Sequence, residues 1–578
     1  MTTRAFGRPR LVAALIAVLV LAGCQGIPTT GPVRVGDGGI VTPEPVLPIL
    51  QGPQPGDSQL SIVQGFLTAS AGGAVTGFDI AREFLAGEAA INWEPLEKVT
   101  VFDSRQATLT PNEESGVVTY SLPIAAVVDE SGIMTESAPD VRQIMEFTVA
   151  PDANGEYRIT GLDNGIIISE ANFVRYFKPV ALTFATTDLT VAAPEVRWFA
   201  NNDQIATLAA RELITGPSPW IADAVVTGFP ATSSLAVEAV VVTDGVAHVS
   251  LAAGSAGTAD ERALAAEQMA MTLGQLPSVS RVETTVGGVA LTALEQPQLG
   301  HAPIPDEAAA VIAAGRFGVW DGTALSVTDD EAGAMPLDAR NLAMSYDGAR
   351  AAYVTAVGVW LTDAPSRRAE FIAYDPAAPA PEELIDAELV VEGGGLVGPS
   401  FDRFGWLFTT AQTSTGTLLA FAPDAEGGTS LSIAAPWLSG RSVQSIAVSR
   451  DGTRLVVLSR ASNQQIVEVA AIVRDAAGVP ISLGEPLALA PSVRQSVDVS
   501  WNDTTSFMVL GEDAGDVFQA TVGGRTLEVS TLTGAVALSV RFGDRTLVAV
   551  TETGELHVRS GNSWAPREQG VTDIAFAG

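Results

Sequence analysis

The chain has 578 residues and a formal net charge of −34 at pH 7, from 66 acidic and 32 basic side chains. Because 47% of its residues are hydrophobic, the sequence encodes folded domains rather than a disordered acidic chain. Its length is enough for about three or four such domains. DNA and RNA phosphates require clustered Lys and Arg, and the sequence has no basic block, so nucleic-acid binding is excluded. The single cysteine excludes an intramolecular disulfide and any metal site built from cysteines alone.

The first 24 residues have the three parts of an export signal. Arg4, Arg8 and Arg10 form a positive start, and an apolar run follows from Leu11 to Leu21. As a helix this run spans about 16 Å, against a bilayer core of about 30 Å, so it is too short for a stable membrane span. Small residues then lead to Cys24, the only cysteine. We therefore expect a cleaved signal peptide.

The residues Leu21-Ala22-Gly23-Cys24 resemble the lipobox of bacterial prolipoproteins. The resemblance implies that the Cys24 thiol is diacylglycerylated, that cleavage falls between Gly23 and Cys24, and that the new amine receives an acyl chain such as palmitate. More than one acyl chain anchors a protein stably. We expect residues 1–23 to be the signal peptide and the mature protein to be lipid-anchored on the outer, extracytoplasmic face of the cytoplasmic membrane.

Residues 24–57 are expected to form a tether behind the lipidated cysteine. Residues 25–57 contain seven prolines and seven glycines. This composition favours extended chain and cannot close a core, so no chemistry is expected in the tether.

Residues 58–180 are expected to form an α+β domain, with two short helices before a curved antiparallel sheet. Alternating residues in 117–128 and 144–149 indicate half-buried strands. The segment Asp152-Ala-Asn154-Gly155 indicates a hairpin turn, because Asn-Gly tolerates positive φ. It also partly matches a calcium loop, but the distal glutamate is missing, so no metal is expected there.

Residues 181–300 are expected to form a second α+β domain. The predicted elements are strands at Leu189–Val191 and Val196–Phe199, helices over 204–214 and 260–276, and hairpins at Asp244-Gly245 and Gly287-Gly288. The motifs Ala210-Arg-Glu-Leu-Ile-Thr-Gly-Pro217, Val240–Val246 and Met271-Thr-Leu-Gly-Gln275 follow in an order that resembles the GerMN domain, named for spore-germination proteins. That family's motif carries no catalytic residue, and we expect Thr272 and Gln275 to face solvent or a neighbouring domain.

Residues 301–578 are expected to form an all-β propeller. The form Ser-x-Asp-Gly recurs between apolar strands, at Ser345–Gly348 and Ser449–Gly452, with degenerate copies beginning at Ser400 and Ser500. The four serines are separated by 55, 49 and 51 residues. That period fits four-stranded blades, and the region has room for about five or six of them.

The sequence offers no recognisable catalytic or metal-binding motif. Neither Lys98 nor Lys178 follows a glycine, which excludes a phosphate-binding P-loop, and no His-Glu-x-x-His or Gly-x-Ser-x-Gly occurs. His248, His301 and His557 fall in separate elements, which disfavours a zinc or catalytic histidine site. We predict no enzyme activity, no catalytic residue, no metal and no cofactor.

Taken together, the segments resemble one family over essentially the whole chain. They are the lipobox, a tether with Ile27-Pro-Thr-Thr-Gly-Pro32, the Gly65–Ser70, Ala81–Leu85 and Trp93-x-Pro95 motifs, the GerMN-like domain and the propeller. This order is similar to that of the actinobacterial lipoprotein LpqB family. The resemblance implies a surface accessory of the MtrA–MtrB two-component system that contacts the extracytoplasmic part of the sensor kinase MtrB and influences cell-envelope homeostasis and division.

Two functions of different classes therefore remain open. The first is a non-enzymatic, protein-binding regulator of an MtrB-like kinase. The alternative is a module that binds cell-wall glycan or peptidoglycan fragments on propeller tryptophans such as Trp320, Trp360 and Trp406. A glycan binder needs an exposed row of aromatic rings, whereas a protein-binding regulator does not.

Overall fold

A computed structural model of the chain describes residues 49–255, 257–291, 299–364, 370–423, 430–512 and 514–578. Within these ranges, no helix is both long and apolar enough to cross a membrane. Short 3₁₀ segments occur at Ser104–Gln106, Ala222–Ala224, Ala253–Ser255, Asp330–Ala332, Pro436–Leu438 and Asp544–Thr546.

The first domain begins with helix α1 (Gln59–Thr76). Ser58 caps it, because its Oγ accepts a hydrogen bond from the Ser61 amide, and the helix ends at Gly77, whose φ is 93°. Ile62, Val63 and Phe66 lie on its buried side. Two short helices follow, α2 (Asp79–Arg82) and α3 (Glu88–Asn92). The two helices expected before the sheet correspond to α1, which is longer than expected, and to the short α2.

These helices pack on a curved sheet. Its strands are β1 (Lys98–Phe102), β2 (Thr108–Asn112), β3 (Val117–Asp129), β4 (Met134–Glu136), β5 (Arg142–Pro151), β6 (Tyr157–Gly161) and β7 (Ile166–Ser169). Their order is β6-β5-β3-β1-β7, and β2 and β4 also pair with β3. Every pair is antiparallel except β1 with β7. Along β3 alternate residues are buried, which gives the sheet one core face, as the α+β prediction requires.

The second domain holds two helices between two small sheets. After α4 (Glu170–Tyr176), its elements are β8 (Phe177–Thr186), β9 (Ala192–Ala200), α5 (Ile205–Thr215), β10 (Val225–Val226), β11 (Val241–Thr243), β12 (Val246–Leu251), α6 (Ala259–Leu273), β13 (Arg281–Val286) and β14 (Val289–Ala290). The sheet orders are β10-β8-β9 and β11-β12-β13-β14. Helix α6 makes the crossover between the parallel strands β12 and β13.

Polar residues on and just after α6 join the helix to the rest of its own domain, which corrects the expectation for Thr272, whereas Gln275 is exposed as expected. The buried Thr272 hydroxyl accepts a hydrogen bond from the Thr183 amide at 2.9 Å. The Gln275 amide group bonds both backbone groups of Ala181. Gln268, also buried, bonds the backbone of Gly228 and Val226. These side chains satisfy strand-edge groups that would otherwise be unpaired.

One predicted strand in this domain was wrong. Leu189–Val191 falls in the turn between β8 and β9, where Leu189 has a φ of 57°. The Asp188 carboxylate holds this turn by accepting hydrogen bonds from the hydroxyls of Thr186 and Thr190. Side-chain hydrogen bonding to a turn therefore prevailed over the apolar character of Leu189 and Val191.

From Ala309 onward the described residues form a propeller of six blades. From the centre outward, the first blade has β40 (Val571–Ala575), β15 (Ala309–Ala313), β16 (Arg316–Trp320), β17 (Leu325–Thr328) and β21 (Phe371–Ala373), and the second has β18 (Arg340–Met344), β19 (Arg350–Val354), β20 (Gly358–Asp363) and β22 (Glu388–Glu392). The third blade has β23 (Ser400–Phe401), β24 (Leu407–Thr409), β25 (Thr417–Phe421) and β26 (Ser430–Ala434), and the fourth has β27 (Ser442–Val448), β28 (Arg454–Ala461), β29 (Gln464–Arg474), β30 (Pro480–Leu483) and β31 (Leu487–Leu489). The fifth blade has β32 (Ser496–Trp501), β33 (Ser506–Gly511), β34 (Asp516–Thr521) and β35 (Thr526–Thr531), and the sixth has β36 (Ala535–Val540), β37 (Leu547–Thr551), β38 (Glu555–Ser560) and β39 (Ser563–Gln569).

The ring is closed by β40, which pairs antiparallel with β15 and becomes the inner strand of the first blade. The repeated turns lie where the period placed them, between the first and second strands of blades two to five. In two of them the serine hydroxyl donates to the turn aspartate, Ser345 to Asp347 and Ser449 to Asp451, each at 2.6 Å. The predicted fold class, two α+β domains followed by a propeller, is confirmed.

Candidate functional site

The inner strands of the six described blades surround a central cavity of about 90 Å³. In ring order these strands are β40, β18, β23, β27, β32 and β36. Small and apolar residues form most of the lining, and the charged side chains among the lining groups are Asp498, Asp573 and Arg450. These three side chains therefore determine the chemistry of the cavity.

Asp498 and Asp573 join neighbouring blades in the same way. Asp498 accepts hydrogen bonds from its neighbour Val499 and, across to the next blade, from the Leu538 amide at 3.0 Å. Asp573 accepts from Ile574 and, in the next blade, from the Leu342 amide at 2.8 Å. Burial raises the pKa of Asp498 to about 6 and that of Asp573 to about 7, and the charge of Asp498 adds to the second shift.

Arg450 lies at the end of the cavity, in the Ser-x-Asp-Gly turn of the fourth blade. Its Nη2 donates to the carbonyls of Trp501 at 2.9 Å and Val540 at 3.1 Å, so one guanidinium connects three blades. The side chain is 4% exposed, and its burial lowers its pKa. Its Nη1 has no hydrogen-bond partner in the part of the chain that the structure describes.

The second domain packs against the same end of the propeller through a buried ion pair. Arg454 pairs with Asp451 at 2.6 Å and donates to the Thr504 carbonyl in the next blade. Its Nη2 also donates to the carbonyl of Pro194, and its guanidinium lies 6.0 Å from the Trp220 ring centre. A fully buried pair of this kind holds its partners in one arrangement, since separating them would leave a buried charge without a partner.

Further contacts reach both α+β domains. Arg403, in the turn after β23, donates to both oxygens of Asp188 at 2.7 Å. Burial opposes ionisation of Asp188, but hydrogen bonds from Arg403, Thr186 and Thr190 lower its pKa to about 2. In the fifth blade, Gly523 accepts from the Trp198 indole at 2.8 Å, and the Thr526 hydroxyl donates to Glu136 at 2.7 Å. The three domains thus meet at one end of the propeller.

The opposite end of the propeller bears exposed apolar side chains. Successive hairpins of an antiparallel blade lie at opposite ends, so the β19–β20 turn is far from the covered end. In this turn Val357 is 55% exposed, and Leu337, which precedes β18 at the same end, is 98% exposed. The Ala356 amide donates to Asp338 at 2.7 Å and holds these two loops together.

The predicted lipidation and cleavage residues, Leu21, Ala22, Gly23 and Cys24, lie outside the described residues. The histidines do not come together: His248 and His557 each lie near a glutamate of their own sheet, at 3.3 Å from Glu283 and 3.5 Å from Glu555. Among the described residues no group of three or more His, Cys, Asp and Glu could hold a metal. Asp152 accepts hydrogen bonds from two amides of its own hairpin turn.

The tryptophans do not form an exposed row. All nine lie in described residues, and each is buried or half-buried. Trp320 belongs to a buried blade core, and the Trp360 indole donates to Thr355 at 2.9 Å. Trp406 packs, half-buried, against the core of the third and fourth blades.

The cavity residues were missed by sequence reasoning. Asp498 and Asp573 each adjoin apolar residues of an inner strand, as Val-Asp-Val and Asp-Ile-Ala. A charged residue at such a position is a usable signal, because buried charges need partners. Arg450 occupies the variable position of one of the two full Ser-x-Asp-Gly turns, where its role depends on two other blades.

Three family models match consecutive parts of the chain. Residues 52–174 match the lipoprotein LpqB N-terminal domain, residues 176–292 match a domain described as sporulation and spore germination, and residues 315–575 match the lipoprotein LpqB beta-propeller domain. These ranges follow the three structural domains.

Relatives are similar over nearly the full length. Lipoprotein LpqB of Thermobifida fusca is 27% identical, covering 88% of each chain. Lipoprotein LpqB of Streptomyces coelicolor is 26% identical over 98% of this chain and 97% of its own. Among solved structures, one from a nidogen/laminin complex matches 47% of this chain and 98% of its own, with 11% identity and a TM-score of 0.33, which is too low to bear on function.

Proposed function

The chain belongs to the lipoprotein LpqB family, and on that premise we propose that it is a non-enzymatic accessory of a sensor histidine kinase similar to MtrB. In this proposal it is anchored through Cys24 to the outer face of the cytoplasmic membrane and acts in cell-envelope homeostasis and division. The tether of residues 24–57 has an upper reach on the order of 100 Å. Such a tether raises the effective concentration of the protein near a membrane partner, so a weak interface suffices.

The observation that carries the proposal is the packing of both α+β domains on one end of the propeller. Arg454, Arg403 and Trp198 make the contacts there. This packing leaves the other propeller end free of the described chain, and Leu337 and Val357 are exposed on it. A rigid body with an apolar free end suits the binding of another folded protein.

The first experiment measures binding of the full lipidated chain, held in nanodiscs, to the extracytoplasmic domain of the MtrB-like kinase. We expect saturable binding that the double variant Leu337→Asp, Val357→Asp abolishes, because charges replace apolar contacts. Ile481→Asp is the matched control, since Ile481 is 52% exposed but lies on an outer strand of the fourth blade. It should bind like the unchanged chain.

Absence of binding at about 100 μM would contradict a direct contact with the kinase. If the chain then sedimented with purified peptidoglycan, the wall-glycan alternative would replace the proposal. If the double variant Leu337→Asp, Val357→Asp still bound the kinase domain as the control does, the free end of the propeller would not be the binding surface.

The anchor is tested separately. We expect Cys24→Ser to remove labelling by a palmitate analogue and to leave the precursor uncleaved, because lipobox processing requires the thiol. Gln25→Ala, which leaves Leu21–Cys24 unchanged, should be labelled and cleaved normally. Normal labelling of the Cys24→Ser chain would refute lipidation at this residue.

A further inference from the structure

Arg450 lacks a carboxylate ion pair, unlike four of the five other buried arginines of the described chain; the fifth, Arg559, donates to the Val529 carbonyl. Four others in the described chain each form an ion pair: Arg197 with Glu195, Arg316 with Asp330, Arg454 with Asp451 and Arg474 with Asp402. Arg450 is as buried as these, at 4% exposed. Its hydrogen bonds within the described residues go to two neutral carbonyls, and Nη1 has none.

Asp503 favours the charged form of Arg450, but no ion pair joins Arg450 to a carboxylate within the described residues. Asp503 is near, but its oxygens accept hydrogen bonds from the amides and hydroxyls of Thr505 and Ser506. Arg541 is a second cation in the neighbourhood. A buried guanidinium remains charged, and a buried charge without a partner is costly. Within the described residues the guanidinium faces the Phe542 ring at 6.0 Å, and its Nη1 has no contact with an anion.

The cavity beside Arg450 has room for an anion. The volume of the whole cavity is about 90 Å³, several times the roughly 10–15 Å³ that one water needs on the same measure. Tyr346 lines the same cavity and brings a hydroxyl group. A guanidinium and a hydroxyl are donors suited to carboxylate or phosphate oxygens.

The two aspartates in the cavity do not take this role. Their oxygens already accept hydrogen bonds from backbone amides and from the Ser445 hydroxyl. Arg450 donates a hydrogen bond to the Trp501 carbonyl, and Asp498 lies three residues before Trp501 on β32. That separation is about 10 Å along a strand, so the Asp498 carboxylate lies away from the covered end.

We propose that Arg450 anchors a binding site for one small oxyanion, a carboxylate or phosphate group, at the covered end of the propeller channel. The anion pairs with Nη1 and with the Tyr346 hydroxyl. It thereby completes the contact among the fourth, fifth and sixth blades. This site is independent of the kinase-binding proposal.

The test uses the full chain in detergent, titrated with inorganic phosphate and, separately, with acetate at constant ionic strength. Thermal unfolding and line broadening of the ligand's NMR signal are the two readouts. We expect saturable broadening and a rising unfolding midpoint with at least one anion. Both effects should vanish in Arg450→Gln and weaken by about tenfold in Tyr346→Phe, which loses one donor.

Arg441→Gln is the control. Arg441 pairs with Glu468 in the same blade and does not line the cavity, so this variant should lose stability yet keep the anion response. A response to phosphate alone would identify phosphate groups as ligands, and a response to both anions would identify the shared oxyanion chemistry.

The proposal is overturned if neither anion broadens saturably with the unchanged chain, or if Arg450→Gln responds as the unchanged chain does, which would be general salt screening. Should Arg450→Gln fail to fold, Tyr346→Phe decides the matter. An undiminished affinity in Tyr346→Phe would then remove the site from this end of the channel.

Discussion

Asp498 and Asp573 show how single residues hold the centre of the propeller together. Each accepts one hydrogen bond from the next residue and another from a leucine amide of the neighbouring blade. Without them these inner-strand amides would face the cavity unpaired. The cost is that a carboxylate must be kept in a poorly solvated place, which raises its pKa.

This arrangement makes stability depend on pH. Asp573 titrates near 3.8 in an unfolded chain and near 7 in the fold, so between these values the folded state binds the extra proton. Its contribution is fully present below about pH 4 and is lost as the pH rises through 7. We expect unfolding of the chain to become easier by about 2–3 kcal/mol from this group between pH 5 and 8.

Asp573→Asn should flatten that dependence, because the amide does not titrate. The measurement is the denaturant midpoint of the full chain at pH 5, 6, 7 and 8. Asp321→Asn is the control, since hydrogen bonds in its own turn keep the pKa of this exposed aspartate below its usual value. Equal pH dependence in Asp573→Asn and the unchanged chain would show that Asp573 stays ionised throughout.

Residues that act within a few positions were predictable from the sequence, and those that act across blades were not. The turn aspartates Asp347 and Asp451 were found because their partners lie within three residues. Asp573 bonds Leu342, which is 231 residues away. No local pattern specifies such a partner, although an aspartate in an apolar strand does indicate that one exists.

At the scale of elements, the Ser-x-Asp-Gly turn occurs in two structural settings, and its four-residue sequence does not distinguish them. In the second blade Asp347 is exposed and accepts hydrogen bonds within its own turn. In the fourth blade Asp451 is fully buried and also pairs with Arg454, which reaches the second domain. The same motif therefore lies in a solvent-exposed turn in one place and in a buried domain contact in the other.

We accordingly expect unequal losses from equal substitutions. Asp451→Ala should cost about 3–5 kcal/mol in unfolding free energy, because it leaves the Arg454 charge buried and unpaired. Asp347→Ala, the matched change in an exposed turn, should cost about 1 kcal/mol. Urea unfolding of both full-length variants at one pH measures the difference. Similar losses would mean that Arg454 does not depend on Asp451.

Hairpins whose turns are determined by adjacent residues were predicted correctly from the sequence. The hairpins at Asp244-Gly245 and Gly287-Gly288 occur as expected, since glycine supplies the positive φ of such turns. The apolar residues of Leu189–Val191 misled the strand prediction, because the hydroxyls that hold this turn are not part of a hydrophobic pattern. The role of Thr272 was missed for a similar reason: its partner, the Thr183 amide, lies on a distant strand.

At the scale of the whole molecule, the order of domains could be read from the chain but their packing could not. The period of the turns indicated blades, whereas ring closure depends on β40 pairing with β15 across the full propeller. The domain contacts use charged and aromatic residues on turns, such as Arg403 and Trp198, which a single sequence does not distinguish from solvated surface residues. Domain packing is thus a property of the folded surfaces.

The Arg403–Asp188 pair offers a direct test of whether the domains form one body. Arg403→Asp should loosen the contact between the propeller and the second domain, because two carboxylates then face each other. Asp188→Arg should do the same with two cations. The double variant restores opposite charges, so we expect a coupling free energy of about 1–2 kcal/mol, limited by the partial exposure of Asp188.

Hydrogen exchange at the Thr186–Thr190 and Asp402–Trp406 turns reports the contact, and thermal unfolding reports its strength. Protection of both turns should fall in each single variant and return in the double variant. Exchanging the charges of Arg281 and Glu283, an exposed pair within one strand, is the control and should leave both turns protected. Independent, additive effects of the two substitutions would show that the second domain moves freely against the propeller. The three domains would then not form one rigid body, and the proposed mode of partner binding would lose its support.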